Sequence, residues 1–252
     1  MHCDFACPYA VPGPDNEVVE RSYFQTTARP VILVHHLNNS RSQRLLWLLE
    51  ELAVPYDIKR YERDSKTMLA PPELRQVHPL GKSPVITDGE VTLAESGAIM
   101  EYVLERYGQG RLVPRQGTPE RLRYSYWMHF AEGSAMPPLV MKLVLGRMAK
   151  GAPFFVRPVA RAIANRVQEG FVQPNISRQL DYMEAELTRS TWFAGVEFTA
   201  ADIQMSFPLE AASARAGLDA SKPKLSEFLA RIHAREAYRA ALERGGEFKL
   251  LR

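Results

Sequence analysis

Two short runs hold the residues best suited to chemistry, Ser83-Pro84 and Glu95-Ser96. A Ser-Pro bond opening a strand is ordinary in trans, whereas a cis bond there turns the backbone sharply. The Ser83 N–H and C=O would then lie outside the sheet, available to an extended peptide ligand through strand-like hydrogen bonds. Ser96 reads as the N-cap of a helix, whose outward N–H groups and positive dipole end favour a carboxylate. Glu95 beside it could accept from an ammonium, so the pair could hold an amino-acid zwitterion. The plainer alternative is a Ser96 that only caps and a Glu95 that is only a solvated acid.

Cysteine usage narrows the chemistry. Cys3 and Cys7 lie in the first few residues, and none follows from Pro8 to Arg252. No disulfide can staple the body of the chain, which suits a reducing compartment and gives a cytoplasmic expectation. No protein thiol in that body can serve as nucleophile or zinc ligand, and no metal is expected. Cys3, Cys7 and His2 could bind a metal, against the alternative of an untethered terminal tail.

The 252 residues are 46% apolar and 24% charged, with a formal charge of +3. That is enough chain for two ordinary domains and too little charge to argue for nucleic acid. No run approaches the roughly 18 apolar residues of a spanning helix. No basic stretch followed by an apolar run opens the chain, so a secretory signal is not expected.

Residues 1–29 read as an extension, holding Pro8, Pro12, Gly13, Pro14, Asp15 and Asn16 without apolar period and expected to be disordered. Val31-Ile32-Leu33-Val34 suits a buried central strand. Asn38-Asn39-Ser40 offers turn and cap chemistry before a helix with Leu45, Leu48, Leu49 and Leu52 at helical spacing. Tyr56 to Tyr61 reads as a second strand, completing a β-α-β unit with a parallel pair. A short helix is expected after Pro71-Pro72, then a hairpin turning at Asp88-Gly89, then a helix carrying Ile99, Val103 and Leu104. The order β-α-β-α-β-β-α over residues 30–108 is that of a thioredoxin-like α/β domain. A linker at 109–117 leads to an all-α domain over 118–252, starting at Thr118-Pro119. Helical segments are expected at about 118–148, 153–169, 174–189, 199–217 and 224–243. Thr199 and Asp202 stand at capping-box spacing, with Phe198 placed for a hydrophobic staple, so Asp202 reads as structural.

Gly81-Lys82-Ser83-Pro84, the hairpin and Leu93-Ala94-Glu95-Ser96-Gly97 together resemble the glutathione site of the glutathione transferases. From Val31 to Leu250 the resemblance narrows to the Gtt-type subgroup of fungi and bacteria. It rests on Ser-Arg-x-x-Arg-Leu-Leu-Trp-Leu-Leu, His-Pro-Leu-Gly-Lys-Ser-Pro, Glu-Gly-Ser, Pro-Pro-Leu and Ala-Asp-Ile-x-Met-Ser-Phe-Pro-Leu. Trp192-Phe193-Ala194-Gly195 likewise fits the family's loop into the helix after Thr199.

The resemblance implies that Pro84 is cis, that the Ser83 backbone pairs with the cysteinyl part of glutathione, and that Glu95 and Ser96 hold its γ-glutamyl group. Lys82 stands where the family often has a polar side chain touching glutathione. His78 replaces the usual Asn before Pro79 and receives no role.

The turn where redox relatives carry cysteine reads Asn38-Asn39-Ser40-Arg41-Ser42, so the reactive thiol must be the ligand's. A thiol of pKa about 8.5 is a few per cent thiolate at neutral pH. Making it mostly thiolate takes about 2.7 kcal/mol of differential stabilisation. Ser40, four residues before Arg44, resembles the serine that donates to the glutathione sulfur in serine-type transferases. Ser42 is its rival, and both hydroxyls could instead only cap the helix. Tyr124, Tyr126, Trp127, His129 and Phe130 crowd a helix that faces the electrophile in the family. Tyr126 and His129 are the expected substrate contacts, although such a stripe also suits a core.

The expected enzyme joins the glutathione thiolate to a small hydrophobic electrophile, with peroxidase activity towards organic hydroperoxides as a further expectation. A homodimer is implied. The alternatives are a non-catalytic ligand-binding protein on the same fold, and an unrelated thioredoxin-fold protein.

Overall fold

The computed structural model describes residues 31–246 and 248. The expectations for residues 1–29, including Cys3, Cys7 and His2, lie outside the described residues.

Strand β1 (Ile32–Leu37) is the apolar run seen in the sequence, buried along nearly its whole length. It pairs in parallel with β2 (Tyr56–Tyr61) across helix α1 (Ser42–Glu51), from Ile32 opposite Tyr56 to Leu37 opposite Tyr61. After the short helix α2 (Glu73–Val77), β3 (Val85–Asp88) returns antiparallel to β1 and β4 (Val91–Ala94) pairs antiparallel to β3. The sheet order is β2-β1-β3-β4, and helix α3 (Ser96–Tyr107) completes the α/β layer. The hairpin turns one residue later than expected, at Gly89-Glu90. Asp88 stays in the strand because its buried carboxylate accepts from the hydroxyls of Tyr102 and Tyr107 at 2.7 and 2.5 Å. Gly89 has φ +60, the left-handed geometry such a turn favours.

The helical part starts at α4 (Pro119–Phe130), where Thr118 Oγ1 accepts from the Arg121 N–H. Helix α4 runs through a π turn at Ala131–Ala135 into α5 (Met136–Gly151). Helix α6 (Arg157–Val167) likewise runs through a π turn at Gln168–Val172 into α7 (Gln173–Arg189). The break expected near 170–173 is therefore absent. Each wide turn stands just before proline, at Pro137-Pro138 and Pro174, whose missing N–H groups would interrupt an ordinary α ladder. Gln179 Nε2 donates to the Ser134 carbonyl at 2.9 Å, filling the place of the absent Pro138 donor.

Helices α8 (Ala200–Arg215), α9 (Pro223–His233) and α10 (Glu236–Gly245) complete the fold. The single helix expected at 224–243 is broken at Ala234-Arg235. Arg235 leaves the helical conformation, pairs with Glu51 of α1 at 2.5 and 2.8 Å, and stacks over Phe198. The break lays α10 along α1. There Gly245 approaches so closely that a Cβ would stand 2.6 Å from Gln43 Oε1 and 2.8 Å from Leu46 Cδ1. One continuous core joins Val34, Leu46 and Trp47 of the α/β layer to Trp127, Phe193, Phe228 and Tyr238 of the helices. No described helix is long and apolar enough to cross a membrane.

Candidate active site

The turn from β1 into α1 carries the hydroxyls. Asn39 adopts φ +51, a conformation asparagine tolerates, and the helix begins at Ser42 without a side-chain cap. Ser42 is fully buried, with its Oγ 2.8 Å from His36 Nδ1 and 2.7 Å from Ser40 Oγ. Burial, then the Arg60 charge, push the His36 ring down to about 4, although its bond to the Gly245 backbone opposes them. At neutral pH the ring is uncharged, so its nitrogens divide into one donor and one acceptor, and Nδ1 ends a chain that runs Ser40–Ser42–His36. Ser42 is thus enclosed between His36 and Ser40. Ser40 Oγ lies 3.5 Å from Ser83 Oγ, on the side of the turn that meets the Ser-Pro corner.

Ser83-Pro84 is cis. Ser83 lies just beyond the β1–β3 ladder, whose end pair is His35 with Val85. Its hydroxyl donates to the His35 carbonyl at 2.9 Å and accepts from the Leu37 N–H at 3.3 Å, which pins the corner to β1. A pocket of about 250 Å³ opens beside it. Lys82, Ser83, Pro84, Glu95 and Ser96 all line this pocket, joined by Arg41 and Glu132.

The expectation that Ser96 is an N-cap is corrected. Glu95, with φ +73, holds the cap position and Ser96 is the first helical residue. No side chain caps α3, so its leading N–H groups and dipole remain directed at the pocket. The Ser96 hydroxyl instead accepts from Arg44 Nη2 at 3.2 Å.

Arg44 was legible only as a spacing, yet it organises the site. Its guanidinium is 2% exposed and donates to Ser96, to Glu132 at 2.5 Å, and to the Gln204 carbonyl at 2.8 Å. That carbonyl is one turn before Pro208 inside α8, so its ordinary helical donor does not exist. Burial raises the Glu132 carboxyl, but Arg44 and Arg41 outweigh it and hold it below the usual carboxylate range. Arg41 donates to both Glu132 oxygens at 2.9 Å. The π turn at the α4–α5 junction carries Glu132, and the sequence signal for it was the Pro-Pro pair that follows.

A second cavity, of about 520 Å³, lies between the β1–α1 turn, α5 and α8, and shares Arg41 with the first. Tyr126 and His129 line neither cavity. Tyr126 packs against Trp127, Phe130 and Tyr182, and His129 is exposed. Both precede the π turn, whereas the α5 part of the cavity wall starts after it, at Met136. Ser40, although its Oγ is 3.5 Å from Ser83 Oγ, also lines neither cavity. Asp202, fully buried, accepts from the N–H groups of Phe193 and Thr199 at 2.9 and 2.8 Å, and is structural as expected.

Residues 29–105 match the family described as "Glutathione S-transferase, N-terminal domain", and residues 162–236 match "Glutathione S-transferase, C-terminal domain". The chain is 42% identical to "Glutathione S-transferase 3" of Schizosaccharomyces pombe over 72% of this chain and 74% of that one. It is 34% identical to "Glutathione S-transferase 1" of Saccharomyces cerevisiae over 85% and 95% of the two chains. Among solved structures, a glutathione S-transferase from Actinobacillus pleuropneumoniae superposes with a TM-score of 0.72 at 30% identity, covering 88% of this chain and 96% of that one.

Proposed function

The chain belongs to the glutathione S-transferase family, and on that premise we propose how its site works. It is a glutathione transferase. The γ-glutamyl group lies at the open N-terminus of α3, held by Ser96 and Glu95. The Ser83 backbone pairs with the cysteinyl part, and Lys82 faces the glycyl carboxylate. The thiol then reaches the β1–α1 turn, where the Ser40 hydroxyl donates to the sulfur and favours the thiolate. Ser42 is left out because it is fully buried between His36 and Ser40, whereas Ser40 stands on the Ser83 side and turns its O–H from Ser42 to the sulfur when glutathione binds. The thiolate attacks an electrophilic carbon in the neighbouring cavity. With an aryl halide, the C–S bond forms from the sulfur lone pair, the carbon–halogen bond breaks, halide leaves and the thiol proton passes to solvent. Reduction of organic hydroperoxides by the same thiolate is a second activity. Pairing of two copies, residence in the cytoplasm and a role in detoxification belong to this reading.

The observation that supports it most is the convergence of Lys82, Ser83, Pro84, Glu95 and Ser96 on one pocket beside an uncapped helix N-terminus. The test is capture on immobilised glutathione followed by turnover of 1-chloro-2,4-dinitrobenzene. Ser40→Ala is expected to lower kcat by about 10–100-fold while the KM for glutathione stays within about twofold. Its pH–rate profile should move upward, towards the free thiol. Near-normal kcat in that variant would remove Ser40 from the mechanism. Capture without turnover across several electrophile classes would favour the non-catalytic binding protein instead.

A further inference from the structure

The larger cavity carries an unusual charge. Arg41, Arg63, Lys142, Arg147, Lys150 and Arg215 line it, and no Asp or Glu does. Arg41 is committed to Glu132. For the other five, no carboxylate among the described residues lies within ion-pair distance; Arg63 and Lys142 meet only neutral acceptors, the carbonyls of Asn38 and Met68 and the Gln173 amide. Burial, then Arg147 and Arg41, lower the Arg63 pKa, so the cations repel one another across the cavity. The sequence shows the same bias, since residues 133–168 hold Lys142, Arg147, Lys150, Arg157, Arg161 and Arg166 with no acid at all. Like charges gathered round a concave, low-dielectric wall focus a positive potential that raises the local concentration of anions.

The rest of the wall is apolar, with Met136, Leu139, Leu143 and Phe207 among its residues. A volume of about 520 Å³ takes a molecule larger than a simple aryl halide. We propose that the second substrate is an amphipathic anion, an electrophile with an apolar body and a carboxylate, rather than a neutral hydrophobic molecule. The proposal rests on the glutathione reading of the adjoining pocket. On an α,β-unsaturated carbonyl the thiolate adds to the β-carbon, the C–S bond forms, and the displaced π pair takes a proton from water at the α-carbon. Nothing is oxidised and no group leaves. The carboxylate stays among the cations and orients the β-carbon towards the sulfur.

The test compares ethacrynic acid with its methyl ester, which share one electrophilic ketone, and uses 1-chloro-2,4-dinitrobenzene as a neutral reference. After subtraction of uncatalysed rates, kcat/KM should be at least about tenfold higher for the acid, and that ratio should shrink at high salt. Arg147→Gln combined with Arg215→Gln, both at exposed side chains, should bring the acid-to-ester ratio close to one. Calorimetry with the saturated analogues, which cannot react, should show the same preference independently of turnover. Turnover of the aryl halide with no acid preference would overturn the anionic substrate and leave the thiol chemistry standing. Saturated acid and ester binding equally would overturn it even if no electrophile were turned over, an outcome that by itself would count against the glutathione reading.

Discussion

His36 shows how a buried ring beside the β1–α1 turn ties one of its hydroxyls, Ser42, into the fold. Its ring sits at about 4, below the ordinary 6.5, because burial and Arg60 disfavour the charged form. Between those values the unfolded chain holds a proton that the folded chain does not. Stability is therefore fully present above about 6.5 and declines as pH falls towards 4, by up to about 3 kcal/mol. Urea titrations at pH 7 and pH 4.5 should show that loss, and His36→Gln should remove much of it. His35, lowered by burial and Lys59, adds to the total slope, so the difference between wild type and variant is the quantity to read. An unchanged slope in the variant would mean that His36 is not buried in its neutral form. Nothing local to His36 foretold this, because its partners Ser42, Arg60 and Gly245 meet only when β1, β2 and α10 come together.

Helix α8 joins a feature the sequence announces to one it conceals. Thr199 and Asp202 are three residues apart, so the capping box forms from local chain alone and was readable. Asp202→Ala would leave the buried N–H groups of Phe193 and Thr199 without an acceptor. The expected cost is about 3 kcal/mol, or a fall of about 6–12 °C in Tm, with glutathione capture retained below the transition. A scanning calorimetry shift under 2 °C would contradict that role. Pro208 lies six residues further on, and its consequence was not readable. The Gln204 carbonyl it frees is satisfied by Arg44, 160 residues distant in sequence, whose other bonds reach Ser96 and Glu132. The π turns have the same character: the prolines that require them are visible, but where the widened turn directs Glu132 depends on α1 packing against it.

At the scale of the whole molecule, Met141, Val144 and Met148 of α5 and Val159 and Ile163 of α6 are exposed large apolar side chains at helical spacing. Soluble monomers seldom leave such stripes in water, and a second copy would cover them. Sedimentation equilibrium is expected to give about twice the chain mass of 28.5 kDa, and Val144→Glu with Ile163→Glu should return it to one chain. A wild-type particle of one chain mass at micromolar concentration would rule out the pair. The order of strands and helices was readable because each announces itself within a dozen residues, through apolar period, turn residues and caps. The five residues now lining one pocket were readable because they sit in two short motifs of fixed spacing. By itself the sequence thus determined the element order, those motifs and the absence of any cysteine after Cys7. Only the tertiary structure decided that Ser42 is buried against His36, that Arg44 and Glu132 meet beside the pocket, that Tyr126 and His129 line neither cavity, and that six cations line one cavity. Those outcomes depend on desolvation, carbonyls freed by proline and charge proximity between segments far apart in the chain, and none of these exists until the segments meet.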